Sequence, residues 1–216
     1  MSASRNVPGA PSPADALGPR PGSVERILVI RLGALGDVLR TLPAVAGLRA
    51  LHPAARIGWL VEPAAAGAVA LSPAVDDVLV FPRPALLAAL RARSPRRLSA
   101  LLRDFLRTLR APGFDCVVDF HGILRSGLLG RLSGARTRIG YARPFAREGN
   151  ALLTTHRADL GRARRSRYAR NAGLVEALGG ADVGGRERFL VVPESARERV
   201  TRALAGRSPG VVLHPG

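Results

Sequence analysis

Arg26-Ile27-Leu28-Val29-Ile30-Arg31-Leu32-Gly33-Ala34-Leu35-Gly36-Asp37 joins a short apolar run to a loop punctuated by two glycines and ending on a carboxylate. Four consecutive apolar residues with no polar alternation read as a strand buried on both faces, as in a parallel sheet. The loop that follows would leave the carboxyl end of that strand, where parallel α/β sheets hold their ligands.

The same alternation continues along the chain. Strands are expected at 57–61, 78–81, 114–120 and 137–141, and helices at 43–51, 64–71, 85–92, 95–110, 123–132 and 167–178. Leu98, Leu101, Leu102, Phe105, Leu106 and Leu109 recur at helical spacing and give the helix at 95–110 one apolar face. Strands alternating with helices predict an α/β domain built on a mostly parallel, Rossmann-like sheet. Beyond it, 189–192 reads as extended, 194–205 as a polar helix and 210–214 as a buried strand running into Pro215-Gly216. A buried strand should not end a domain with no partner following it. The expectation from the pattern is a disordered leader at 1–25, a Rossmann-like domain at 26–185, and a tail of different character at 186–216.

Composition narrows the function classes. The chain has 216 residues, 47% of them hydrophobic, and a formal net charge of +17 with no lysine. Such a charge attracts nucleic acid, a membrane surface or a phosphorylated substrate, although an all-Arg, Ala- and Pro-rich chain also reflects compositional bias. Eight arginines lie between Arg83 and Arg110 against one acid, Asp104, and six between Arg157 and Arg170 against Asp159. Neither run is interleaved with aromatic residues for base stacking, and no helix-turn-helix or zinc pattern appears, so nucleic acid is not the expected partner. The single cysteine, Cys116, sits within an apolar run and reads as a core residue. No apolar stretch approaches the ~20 residues needed to span a bilayer, and residues 1–23 lack the apolar segment of a signal peptide. A cytoplasmic protein, able to touch a membrane peripherally from inside, is expected.

Two clusters carry candidate chemistry. Gly33 and Gly36 would let a ligand approach the backbone, and Asp37 would project into the crevice, where a carboxylate takes a proton from a substrate hydroxyl. The alternative is that Asp37 caps the next helical turn. Asp119-Phe120-His121-Gly122-Ile123-Leu124-Arg125-Ser126 likewise leaves a strand end and enters a helix, so Asp119, His121 and Arg125 are candidates for the same crevice. There too the alternative is an ordinary turn with a capping Asp. No second His or carboxylate stands at a metal-ligand spacing, so no metal is expected.

The stretch 26–43 resembles the opening of the ADP-heptose:lipopolysaccharide heptosyltransferases, glycosyltransferase family 9. Further resemblances follow in the family's order: Trp59-Leu60-Val61-Glu62; Phe114-Asp115 through Val118-Asp119 with Gly122 and Arg125-Ser126; Arg147-Glu148; and Val211-Val212-Leu213-His214-Pro215-Gly216. The resemblance implies a GT-B enzyme that transfers a sugar with inversion and needs neither metal nor other cofactor. Its donor would be ADP-heptose or another nucleotide sugar, and its acceptor an anionic glycolipid at the inner membrane. Asp37 takes the place of the general base. Gly33, Gly36, Asp119, His121, Arg125, Arg147 and Glu148 fall on the acceptor side, and Pro215 and Gly216 at the start of the donor loop. On this reading 186–216 are an interdomain segment and the first strand of a truncated donor-binding domain, and the residues present cover the acceptor half and are inactive alone. Another sugar or acceptor within the family, or a non-catalytic fragment, remains open from sequence, and oligomeric state is not legible.

Overall fold

The computed structural model describes residues 17–18, 23–161, 166–180 and 189–204. Six strands form one sheet: β1 (Arg26–Ile30), β2 (Arg56–Val61), β3 (Asp77–Val80), β4 (Cys116–Asp119), β5 (Thr137–Tyr141) and β6 (His156–Ala158). Their spatial order is β3-β2-β1-β4-β5-β6 and every pairing is parallel. This is the doubly wound Rossmann arrangement. The expected α/β fold with a mostly parallel sheet is what the chain adopts.

The apolar run at β1 explains the layering. Ile27 and Val29 face one core with Val45, Leu48, Trp59 and Leu174, while Leu28 and Ile30 face the other with Leu60, Phe105, Leu109 and Val117. Successive side chains of a strand point to opposite faces, so only a run apolar at every position can serve both layers. The helices α2 (Leu42–Leu51) and α7 (Arg167–Ala177) cover the first face. On the second lie α5 (Pro95–Arg110) and, beside it, α6 (Leu124–Leu132). The remaining helices are α1 (Leu35–Leu39), α3 (Pro63–Val69), α4 (Arg83–Arg91) and α8 (Glu194–Leu204).

Several elements depart from expectation. The glycine-punctuated loop after β1 contains the short helix α1, and β6 is an added edge strand. The run 189–192 forms no strand; Val191 N–H donates to Leu71 O at 2.8 Å. Order also starts before Arg26: Val24 is buried, Leu17 N–H donates to Ala177 O at 2.7 Å, and Asp115 Oδ2 accepts the N–H groups of Glu25 (3.0 Å) and Arg26 (2.8 Å). Part of the expected leader thus packs on the body. The strand at 210–214 and Pro215-Gly216 lie outside the described residues. No described helix is long and apolar enough to cross a membrane.

The winding direction reverses between β1 and β4, so their following loops splay to opposite faces and open a crevice at the strands' carboxyl ends. The stretches 31–37 and 120–123 line that crevice.

Candidate functional site

Arg31 continues β1 and is buried, yet charged. Its Nη1 donates to Phe120 O at 2.9 Å and its Nη2 lies 2.5 Å from Asp37 Oδ2, so one guanidinium ties the loop after β4 to the carboxylate of α1. Burial lowers the Arg31 pKa, and the Asp37 charge opposes that effect. Asp37 also receives Arg167 from α7 on Oδ2 at 2.9 Å and the more exposed Arg40 on Oδ1 at 3.3 Å. The cap position of α1 is Ala34, with no side-chain capping bond. Asp37 therefore does not cap the turn; it faces a pocket lined by guanidinium groups. Oδ2 is taken by two cations, while Oδ1 holds a single long contact and keeps lone-pair capacity.

His121 lines the same pocket. Its Nδ1 accepts Leu32 N–H at 3.2 Å, which puts the proton of the neutral ring on Nε2. Burial, with Arg31, Arg125 and Arg147 nearby, pushes its pKa down to about 4. At neutral pH the ring is thus an uncharged donor.

Asp119 does not face the crevice, correcting its expected place on the acceptor side. It is 2% exposed, and four donors occupy its oxygens: His121 N–H (2.8 Å), Gly122 N–H (3.1 Å), Ser126 Oγ (2.7 Å) and Asn150 Nδ2 (2.8 Å). Burial raises its pKa against the pull of those four bonds. It builds the turn that presents His121. Gly122 completes that turn with φ +72°, and a Cβ there would sit 2.9 Å from Phe145 O, so a side chain is excluded twice over.

The other expected residues separate into two groups. Arg147 lines the pocket with Arg31, Asp37 and His121. Gly33 has open space where a Cβ would stand, and Gly36 meets only the Arg40 guanidinium at 3.8 Å, which leaves this backbone accessible to a ligand. Arg125 instead pairs with Glu62 at 3.5 Å, alongside Arg83, and Glu148 is exposed outside the pocket lining with a left-handed φ of 55°. Neither lines this pocket, although the Arg125 charge reaches His121. The sequence reading missed Arg31, Tyr141, Arg167, Arg170 and Asn171, which also line it. Arg170 stacks 5.1 Å over the Phe145 ring, and its buried Nε has no hydrogen-bond partner. The available signals were a charge directly continuing an apolar strand, and Arg167, Arg170 and Asn171 at one-face helical spacing. Among the described residues no group of three His, Cys, Asp or Glu could hold a metal ion.

No family model matches the chain. It is 32% identical over 124 residues to lipopolysaccharide heptosyltransferase 1 of Pseudomonas aeruginosa, covering 57% of this chain and 34% of that protein. To lipopolysaccharide heptosyltransferase 1 of Escherichia coli K12 it is 29% identical over 104 residues, covering 48% and 32%. Among solved structures, E. coli heptosyltransferase WaaC with ADP-2-deoxy-2-fluoro heptose superposes with TM-score 0.65 at 24% identity, over 76% of this chain and 51% of that one. The glycosyl transferase family 9 protein of Veillonella parvula gives TM-score 0.65 at 22% identity, over 84% and 49%. The chain spans about a third of the length of these curated relatives and about half of the solved chains. Over that part of their length the chain is similar in sequence to lipopolysaccharide heptosyltransferase 1 and in fold to solved glycosyltransferase structures.

Proposed function

We propose that the chain forms the acceptor-binding side of an inverting GT-B glycosyltransferase that moves a heptose from ADP-heptose to an anionic acceptor of the lipopolysaccharide inner core, with Asp37 as general base. The carrying observation is the carboxylate itself. It stands in the crevice beyond β1, held on Oδ2 by Arg31 and Arg167 and left on Oδ1 with one exposed partner.

In an inverting transfer the acceptor hydroxyl attacks the anomeric carbon from the face opposite the leaving diphosphate. That oxygen sheds its proton as the bond forms, and a carboxylate at hydrogen-bond reach takes it. Arg31 fixes the carboxylate from the buried side. His121 Nε2–H, uncharged, is a donor for an acceptor oxygen without adding repulsion to the cation cluster. Arg147, Arg167 and Arg170 supply planar, multi-donor groups suited to carboxylate and phosphate on the acceptor. The positive charge on this side of the crevice comes from guanidinium groups, and the proposed transfer is metal-independent. A glycolipid acceptor places the reaction at the cytoplasmic surface of the inner membrane. The nucleotide belongs to the other half of a GT-B enzyme, where Pro215-Gly216 would begin the donor loop.

The test is ADP release by the natural protein from ADP-heptose, with and without an inner-core glycolipid. Acceptor-dependent release is expected. Consumption of a different nucleotide sugar in preference to ADP-heptose would move the assignment to another transferase of the same kind. Release that ignores the acceptor would overturn it.

A further inference from the structure

We propose that Asn171 is a positioning residue for Asp37, acting through Thr41, so that α7 sets the geometry of the base from a distant part of the chain. The inference rests on the reading of Asp37 as the base. Asn171, Thr41 and Tyr141 are all buried. Asn171 Nδ2 donates to Thr41 Oγ1 at 3.0 Å and to Arg40 O at 3.1 Å, and Asn171 Oδ1 accepts the Tyr141 hydroxyl at 2.9 Å. Thr41 Oγ–H in turn donates to Asp37 O at 2.8 Å.

The direction of this chain is fixed by its ends. The Arg40 carbonyl can only accept, which sets the amide orientation of Asn171. Its Oδ1 can then only accept, so Tyr141 donates. The Asp37 carbonyl can only accept, so the Thr41 hydroxyl spends its proton there and receives Asn171 on a lone pair. Each proton has one place, and the relay runs Tyr141 to Asn171 to Thr41 to Asp37 across β5, α7 and the start of α2.

The helix being held is short. α1 has five residues, too few to be stable alone. The Asp37 carbonyl belongs to its last turn, where carbonyls need partners from outside the helix. α7 also carries Arg167, one turn before Asn171, against Asp37 Oδ2. One helix therefore grips the base twice, at the carboxylate and at the backbone. Without the Asn171 amide, the end of α1 is released and the carboxylate loses its set angle to the pocket. Misplacement of a catalytic group by about 1 Å costs up to about 100-fold in rate.

The experiment compares kcat and KM of the natural protein with Asn171→Leu, Thr41→Val, the double variant, Thr41→Ser and Asp37→Asn. Rates are taken per folded molecule, well below each variant's Tm. Asn171→Leu and Thr41→Val are each expected to lower kcat about 10- to 100-fold with donor KM within about twofold. The double variant should fall no further than the worse single, because both cut one path. Thr41→Ser, which keeps the hydroxyl, should retain wild-type kcat. Losses that multiply in the double variant would overturn the relay, since they describe two independent weakenings. Wild-type kcat in Asn171→Leu and Thr41→Val with Asp37→Asn inactive would sink the relay and leave the base standing. Wild-type kcat in Asp37→Asn would sink both. If Asn171→Leu does not fold, Tyr141→Phe paired with Thr41→Val carries the same comparison.

Discussion

At the scale of single residues, the site is governed by how charge is buried. Arg31 is charged and buried because Asp37 and the Phe120 carbonyl receive it; His121 sits among guanidiniums because it is neutral. The histidine carries a pH consequence. Its folded pKa, about 4, lies below the ordinary 6.5, so the unfolded chain takes up the proton first. Its contribution to stability is full above about pH 6.5, is lost as pH falls toward 4, and changes no further below that. Between pH 7.5 and 5 the loss is about 2 kcal/mol. Urea unfolding at the two pH values should show it, and His121→Asn should remove most of it. An equal pH dependence in wild type and variant would contradict the assignment. Little of this was legible beforehand. His121 stood out by type and place, but its neutrality depends first on burial and then on Arg31, Arg125 and Arg147, and Arg31 read only as the first residue of a loop.

At the scale of elements, the turn from β4 into α6 shows why one carboxylate works in the pocket and another beneath it. Asp37 meets cations and open space. Asp119 meets four donors and no solvent. Asp119→Ala should cost about 3–5 kcal/mol, because it strands buried Ser126, Asn150 and two backbone N–H groups. Asp119→Asn should cost less. Loss of activity at unchanged stability would instead make Asp119 a ligand contact. The elements themselves were read where the pattern is strong. β1 and α5 were legible because an unbroken apolar run and a helical leucine stripe each match one period. α1 was missed because Gly33-Ala34-Leu35-Gly36 carries the marks of a loop. β6 was missed because only Ala158 of its three residues is buried, leaving no alternation to see. The network of Tyr141, Asn171 and Thr41 could not be seen at all. It depends on a fold that brings together residues 130 apart in sequence.

At the scale of the whole molecule, the sheet order converts scattered motifs into one site. The reversal of winding between β1 and β4 sets the loops bearing Asp37 and His121 face to face, and α7 closes the pocket with Arg167 and Arg170. Much of the remaining charge is on the outer faces of α4 and α5. Arg96, Arg103 and Arg107 are exposed opposite the buried Phe105 and Leu109, and the pair Arg107–Asp104 is solvent-exposed. Surface pairs of this kind contribute about 0–1 kcal/mol to stability. Their value would lie in attraction to an anionic membrane, at about 1 kcal/mol per arginine near the surface. Replacing all three with Gln should leave the unfolding midpoint nearly unchanged. Binding to vesicles carrying the anionic glycolipid should weaken on the order of 100-fold at low salt, with a shallower salt dependence. Unaltered vesicle binding would take this face out of acceptor recruitment.

The central claim is that Asp37 removes the acceptor proton. The most direct measurement is the single-turnover rate of heptose transfer by the natural protein and its Asp37→Asn variant, with ADP-heptose affinity measured alongside. Asn keeps the shape and loses the basic oxygen, so the rate should fall about 10²- to 10⁴-fold while donor affinity stays within about twofold. A variant that transfers at the wild-type rate would contradict the account.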